Sequence, residues 1–390
     1  MRVAVIGTGF MGAVHTRSAL VAGGEVVGVV GSTPEKGRRA AAEFGAGQGF
    51  DSVEDVLRHG VDVLHVCTPN ATHAEFCRAA LAAGVPVVCE KPLATDAATA
   101  RELTELAAER GLVTAVPFVY RYYASVREAR DRIRRPGHRP PWLIHGSYLQ
   151  DWLADTEATN WRVDPADGGA TRAFGDIGVH WCDLAEFVTG QRITRVNASF
   201  ARAVAARPGA DGTPRPVETE DGAVVLLETD AGAIGSVVVS QVSAGYKNAL
   251  SFSFDGPDAS YAFRQETPES LWIGGRDANE VLLRDPNRAG APTGRAARLP
   301  SGHPQGYYEA FADFVADAYA AVRGEQVTGM PSFADGLRAA EIARAVVDSA
   351  RGGGWVDVPT AGNGLVDVPA AGQGLVDVPA AGRGPAEKGS

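Results

Sequence analysis

Over the first third of the chain, apolar residues come in short unbroken runs: Arg2–Ile6, Glu25–Val30, Val61–Cys67, Val85–Cys89 and Leu112–Phe118. Unbroken runs of this length read as strands buried on both faces. Between them lie stretches of helical periodicity: Gly12 to about Ala22, Thr72–Ala83 and Asp96–Arg110. Strand and helix in alternation with short connections predict a parallel sheet with helices on both faces.

After residue 120 the pattern changes. Tyr120-Arg121-Tyr122-Tyr123 leads into a basic helix, Ala124–Arg135, which Pro136-Gly137 and Pro140-Pro141 interrupt. Period-two alternation then predicts strands at Leu143–Leu149, Thr194–Ala203, Ala223–Glu228, Gly235–Val242 and Ala249–Phe254. Shorter candidates are Ala259–Arg264, Leu271–Ile273 and Glu280–Leu283. Connections that are short or rich in Gly, Pro and Asp suit an antiparallel sheet. One helix, Asp176–Val188, interrupts these strands, and two more, Gly306–Val322 and Ser332–Ala350, follow them. The predicted organisation is an α/β unit over 1–120, an α+β unit over 121–358 and a low-complexity tail over 359–390. The tail copies a ten-residue unit, Trp355–Gly364, Leu365–Gly374 and Leu375–Gly384, in which VDVP is followed by a Gly/Ala-rich spacer. Ten residues dominated by Gly, Pro and Ala cannot build a core, so only the first copy is expected to close the fold and the rest to stay disordered.

Composition narrows the function classes. A net charge of −10 argues against a nucleic-acid surface, which needs a basic patch. No apolar run reaches membrane-spanning length, and the start, MRVAVIGTGF, is too short and glycine-broken for a signal peptide. Cys67, Cys77, Cys89 and Cys182 show neither disulfide nor zinc spacing, so a cytoplasmic protein without a metal site is the default reading.

Three motifs carry chemistry. The first strand runs into Gly7-Thr8-Gly9-Phe10-Met11-Gly12, a G-x-G-x-x-G between strand and helix, the context a dinucleotide site requires. The second strand lacks the terminal acid that would bind a free ribose 2′-hydroxyl. It ends in Gly31-Ser32-Thr33-Pro34, followed by Lys36, Arg38 and Arg39, which favours NADP(H) and leaves NAD(H) open. Helix capping by the same Ser, Thr and Pro is the other account. Thr68-Pro69-Asn70 forms a turn after the third run, and His73 beside it is read first as a helix-surface residue. The second motif, Glu90-Lys91-Pro92, stops the fourth run abruptly and sets a lysine at the carboxyl edge of the sheet, where ligands of open α/β sheets sit. The third is Gly168–Asp183, GGATRAFGDIGVHWCD. Asp176, His180 and Asp183 fall at i, i+4 and i+7, on one helical face. A histidine flanked by acids is a candidate general base. A capping aspartate and a core histidine would give the same letters, and metal binding finds no further ligands.

Together GTGFMG, CTPNATH at 67–73, EKP at 90–92 and GGATRAFGDIGVHWCD at 168–183 resemble the glucose–fructose oxidoreductase/inositol dehydrogenase/rhizopine catabolism (Gfo/Idh/MocA) family, over roughly residues 1–358. GSYLQDWLADTEATNW at 146–161 further resembles its levoglucosan dehydrogenase-like branch. The resemblance implies a Rossmann domain followed by an open-faced, mainly antiparallel sheet domain that forms dimers or tetramers. It implies NAD(P)-dependent hydride transfer at a secondary alcohol of a sugar, anhydrosugar or cyclitol. Lys91, Asp176 and His180 would surround the reacting carbon, with the Lys91–Pro92 peptide often cis. His180 would accept the hydroxyl proton, Lys91 would stabilise the alkoxide and Asp176 would orient the histidine, with Lys91 left open as the proton donor. Cofactor contacts are expected from Gly7, Gly9, Phe10, Met11, Gly12, Ser32, Thr33, Lys36, Arg38, Thr68, Pro69, Asn70, His73, Glu90 and Lys91. Substrate contacts are expected from Tyr120, Arg121, Gln150, Asp151, Trp152, Asn160, Trp161 and Arg162, with His303 a further candidate. Two rival readings remain: a redox-neutral enzyme that cleaves glycosides with a retained cofactor, and a nucleotide-sensing regulator on the same fold.

Overall fold

The structure is a computed structural model that describes residues 1–209, 212–287 and 298–359. The first unit places β1 (Arg2–Ile6), β2 (Glu25–Val30), β3 (Gln48–Phe50), β4 (Val63–Val66), β5 (Val87–Cys89) and β6 (Thr114–Ala115) in one parallel sheet, ordered β3-β2-β1-β4-β5-β6. Helices α1 (Phe10–Val21), α2 (Pro34–Phe44), α3 (Val53–His59), α4 (His73–Ala82) and α5 (Ala97–Glu109) connect them. Strand order reverses between β1 and β4, which opens a crevice at their carboxyl ends. Val3, Val5, Leu64 and Val66 on these two strands are fully buried, as unbroken apolar runs require.

Two strand expectations needed correction. QGF at 48–50 carries no apolar run and so predicts no strand, yet it pairs with β2 as an edge strand. The run Leu112–Phe118 yields a strand of only Thr114–Ala115, since β5 offers only Val87 and Val88 for pairing, and the chain turns at Val119–Tyr122 instead.

The second unit comprises α6 (Ala124–Ile133), β7 (Leu143–Leu149), α7 (Pro165–Gly168), α8 (Val179–Thr189), β8 (Ile193–Ala201), β9 (Ala206–Pro208), β10 (Pro214–Pro216), β11 (Gly222–Thr229) and β12 (Ile234–Ser240). It continues with β13 (Ala249–Asp255), β14 (Ser260–Arg264), β15 (Ser270–Gly274), β16 (Asn279–Leu283), α9 (Tyr307–Val322), α10 (Phe333–Gly352) and β17 (Val356–Asp357). Nine strands form one sheet, ordered β16-β15-β14-β13-β7-β12-β11-β8-β17. Its neighbours are antiparallel except β7 and β12, which run parallel, a direction that alternation alone does not encode. Helix α8 lies on the inner face, where Trp181 Nε1 donates to the Ser251 carbonyl across 2.9 Å. On β11 and β12 the alternation is strict: Val225, Leu227, Val237 and Val239 are buried, whereas Val224, Leu226 and Val238 face outward and exposed.

The last helices return to the first unit. Helix α9 packs across α1, and α10 lies between α5 and β8. Residues 355–359, the described part of the first tail copy, add β17 to the edge of β8, and Val358 is buried. The expectation for the later copies lies outside the described residues. Among the described residues no helix is long and apolar enough to cross a membrane.

Candidate active site

The glycine turn after β1 divides into two packed positions and one open one. Gly7 has φ 115°, and a Cβ there would come within 2.4 Å of the Cys67 carbonyl oxygen. A Cβ on Gly12 would lie 2.2 Å from the Gly7 carbonyl oxygen, whereas one on Gly9 would meet no described atom within 4 Å. The amino end of α1 has no side-chain cap, so its first amides, beginning at Phe10 and Met11, face that space as free donors. Close packing, open space and unspent amides fit a dinucleotide pyrophosphate.

At the end of β2 the residues expected to meet a ribose phosphate separate. Lys36 Nζ donates to Ser32 Oγ across 3.1 Å, on the exposed rim. Thr33 caps α2, accepting from Lys36 N. Arg38 turns toward Asp51 at 3.0 Å and Glu35 at 3.2 Å, so its guanidinium is engaged by carboxylates. Beyond β4, Thr68 Oγ1 accepts from Thr72 Oγ1, and Asn70 Nδ2 donates to the Gly168 carbonyl, tying the turn to the second unit. His73 is fully buried, which corrects the helix-surface reading. Its ring nitrogens lie 2.8 Å from the Pro92 carbonyl and 2.9 Å from the Thr68 carbonyl, and a neutral ring donates to one of these two acceptors at a time.

Lys91 follows the buried Glu90 at the edge of β5, and the Lys91–Pro92 peptide is cis. Its ammonium donates to Asp176 twice, to Oδ1 at 2.5 Å and to the carbonyl at 2.9 Å. Gln241 Nε2 donates to Asp176 Oδ2 at 2.8 Å, and Arg162 Nε stands 3.5 Å from Oδ1. Burial opposes ionisation of Asp176, but the Lys91 and Arg162 cations outweigh it and hold the carboxyl at about 2. His180 sits against the ring edges of Tyr120 and Phe118, at 5.1 and 5.6 Å between centroids. Burial first, then the Lys91 cation, push its imidazolium well below the usual histidine range, with Asp176 opposing them. It is therefore neutral near pH 7, and its Nδ1 has no hydrogen-bond partner among the described residues.

Further polar groups extend from His180. The Tyr120 and Tyr148 hydroxyls are 2.5 Å apart, Tyr148 donates to Asn248 Oδ1, and Gln150 Nε2 donates to the same oxygen. Trp152 Nε1 donates to Gln150 Oε1, while Asp151 is spent on Lys247 and the Gly245 amide. Trp161 stacks under the Arg162 guanidinium at 4.3 Å, and Asn160 caps the turn before it, accepting from Arg162 N. Tyr148, Gln241 and Asn248 were not singled out in the sequence, where each is a lone polar residue on or beside a strand without a motif.

Three expected residues lie elsewhere. Residues 174–178 form a wide π turn before α8, which rotates Asp183 off the face shared by Asp176 and His180. Asp183 instead joins Arg121, whose guanidinium also takes Asp335 at 2.7 Å, and all three are buried. Arg121 and Asp183 are thus an internal staple, not substrate ligands. His303 is exposed, and its carbonyl accepts from Arg284. A groove of about 230 Å³ opens between the 92–97 loop, the 168–179 segment and α10. Its walls are apolar, Ala94, Val179, Ala340 and Val347 among them, and include none of Lys91, Asp176 and His180. No group of three or more His, Cys, Asp or Glu side chains converges as a metal site among the described residues.

Residues 1–118 match the model described as "Oxidoreductase family, NAD-binding Rossmann fold", and residues 126–262 match the "GFO/IDH/MocA C-terminal domain". Levoglucosan dehydrogenase of Pseudarthrobacter phenanthrenivorans is 29% identical over 389 residues, covering 92% of this chain and 98% of its own. A solved structure of levoglucosan dehydrogenase with NADH and levoglucosan superposes with a TM-score of 0.85 at 29% identity, over 92% of this chain and 99% of its own. An inositol dehydrogenase homolog from Azotobacter vinelandii, solved with NADH and myo-inositol, gives a TM-score of 0.79 at 26% identity, over 92% of this chain and 97% of its own.

Proposed function

This chain belongs to the Gfo/Idh/MocA oxidoreductase family, and from that premise we propose that it transfers hydride between a nicotinamide cofactor and a secondary alcohol or ketone of a sugar, anhydrosugar or cyclitol. The observation that carries this reading is the Lys91–Asp176 contact at 2.5 Å beside a neutral His180 with an unspent Nδ1. Bound in the crevice, the nicotinamide would supply the hydride acceptor. The chain supplies the rest. A carbinol carbon gives up hydride readily only as its hydroxyl proton leaves, and the neutral His180 imidazole accepts that proton. The Lys91 ammonium stabilises the developing alkoxide, and Asp176 holds that ammonium in place. In reduction the proton travels back from His180. Tyr120, Tyr148, Gln150, Asn248, Trp152, Trp161 and Arg162 offer hydroxyl partners beside aromatic faces, a mixture suited to a polyhydroxylated ring.

NADP(H) is the preferred cofactor in this reading, carried by Ser32 and Lys36 at a strand end without an acid, with NAD(H) the alternative that the relatives' NADH complexes favour. The outward apolar face of the nine-stranded sheet, with Val224, Leu226 and Val238 exposed, would bury itself in a homodimer or homotetramer. The test is nicotinamide absorbance of the purified protein with NADP⁺ or NAD⁺ against sugars, anhydrosugars and inositols, with Lys91→Met alongside. Turnover with one substrate class, lost in the variant, is the expected result. Tight cofactor binding with no turnover across the panel would overturn it in favour of redox-neutral glycoside cleavage. A Kd ratio favouring NADH would overturn the cofactor preference alone.

A further inference from the structure

Behind Lys91 runs a buried line of hydrogen bonds that the hydride reading leaves unused. Glu90 Oε2 accepts from the Lys91 backbone amide at 3.1 Å, and Glu90 Oε1 lies 3.0 Å from His15 Nε2. His15 Nδ1 lies 2.8 Å from His65 Nδ1, and His65 Nε2 lies 3.0 Å from the Tyr319 hydroxyl. All four side chains are buried, and they come from four elements: the end of β5, α1, β4 and α9.

Donor and acceptor counting fixes the protons. A carboxylate only accepts, so His15 Nε2 carries hydrogen. A neutral His15 then has a bare Nδ1, so His65 Nδ1 is the donor between the rings. His65 Nε2 is then bare and accepts the Tyr319 hydroxyl proton. Every hydrogen in the line points toward Glu90. A second proton on His15 would reverse His65 and leave the Tyr319 hydrogen, on a fully buried side chain, without an acceptor among the described residues. A proton on Glu90 Oε2 would face the Lys91 amide hydrogen. The groups acting on Glu90 are His15 from α1, His73 from α4, Cys67 after β4, Tyr307 from α9, and Cys89 and Lys91 on its own strand. Burial pushes the Glu90 carboxyl up, and His15, Lys91 and His73 outweigh it, leaving the group below its usual value.

We infer that His15 and His65 are positioning residues of the active site: they lock Glu90 as an oriented anion, which fixes the Lys91 backbone and so the aim of its ammonium at Asp176. The kinetic half of this inference rests on the dehydrogenase reading, whereas the proton pattern does not.

Nitrogen NMR of histidine-labelled full-length protein reads the pattern directly. His15 protonated at Nε2 and His65 at Nδ1 is the expected result, and the opposite tautomers or a doubly protonated His65 would overturn it. In turnover, His15→Leu should lower kcat about tenfold or more at pH 7, the scale of a lost hydrogen bond to a charged group. It should also move the acid limb of kcat to higher pH with KM for the alcohol held. The sign follows from Glu90: its anion is lost as pH falls through its folded value, and removing His15 raises that value. His15→Gln, whose amide can still donate to Glu90, should restore most of kcat. An unmoved acid limb in His15→Leu would overturn the inference. If that variant does not fold, Tyr319→Phe removes only the terminal donor and should shift the limb in the same direction by less; no shift is again fatal. A wild-type protein without turnover counts against the dehydrogenase reading alone, and the tautomers then decide.

Discussion

Two cation–carboxylate clusters border the segment that runs through the π turn into α8, and they differ in how much bonding capacity they leave unspent. Lys91 meets Asp176 at one end, and Arg121 meets Asp183 and Asp335 further along. At Lys91–Asp176 the side chains keep 14% and 16% exposure, and His180 Nδ1 and Gln241 Oε1 nearby lack partners among the described residues. At Arg121–Asp183 exposure falls to 4% and 6%, and the guanidinium is spent on two carboxylates and the Gly329 carbonyl while lying over the Phe187 ring. The residue types are nearly the same. In the proposed reading, unspent capacity distinguishes the first as the site, and closure distinguishes the second as a staple.

The sharpest way to break this contrast is to remove each cation. Lys91→Met should lower kcat/KM about 10³-fold, the scale of losing a preorganised charge, with little change in unfolding midpoint. Any residual oxidation should show its acid limb, to which His180 and Glu90 both contribute, at higher pH than wild type, because the Lys91 cation holds both groups' values down. The neutral imidazole is the active form, and removing the Lys91 cation takes away one of the two effects that depress His180. Arg121→Met should do the reverse, costing about 3–5 kcal/mol of stability because two buried carboxylates lose their partner. Activity per folded molecule should stay within about twofold of wild type, as for changes remote from the reacting atoms. Chemical denaturation and initial rates on the same preparations check both. A large rate loss in Arg121→Met at full stability would place the staple in the site after all.

The contrast also explains what was legible in the sequence. The parallel sheet, the glycine turn and Lys91 at a strand edge are local signals: unbroken apolar runs, a six-residue pattern and an abrupt Glu-Lys-Pro stop. Asp176 and His180 were legible because i, i+4 spacing survives the π turn, and Asp183 was misplaced because a wide turn is invisible to helical counting. Arg121 looked like a ligand because sequence cannot say that Asp335, over two hundred residues away, comes to lie 2.7 Å from it. Long-range closure hid His15, His65 and Tyr319 in the same way. Each is unremarkable where it stands, and only the return of α9 onto α1 brings them into one line.

Gln241 supplies the finest test, because it belongs to the open cluster through one hydrogen bond only. Its Nε2 steadies Asp176 Oδ2 at 2.8 Å, while its Oε1 is buried and unsatisfied among the described residues. Gln241→Leu removes both at once. Losing an N–H donor to a carboxylate that already holds Lys91 should cost about 1–1.5 kcal/mol in transition-state stabilisation, five- to tenfold in kcat/KM. Removing an orphaned buried acceptor should offset the lost bond in the folded protein, leaving stability near wild type. The split between kcat and KM then locates the unspent oxygen. A fall in kcat alone means that Gln241 acts only by steadying Asp176. A rise in KM as well means that Oε1 is reserved for a substrate hydroxyl, and an unchanged kcat/KM means that Lys91 and Arg162 suffice to hold Asp176 without it.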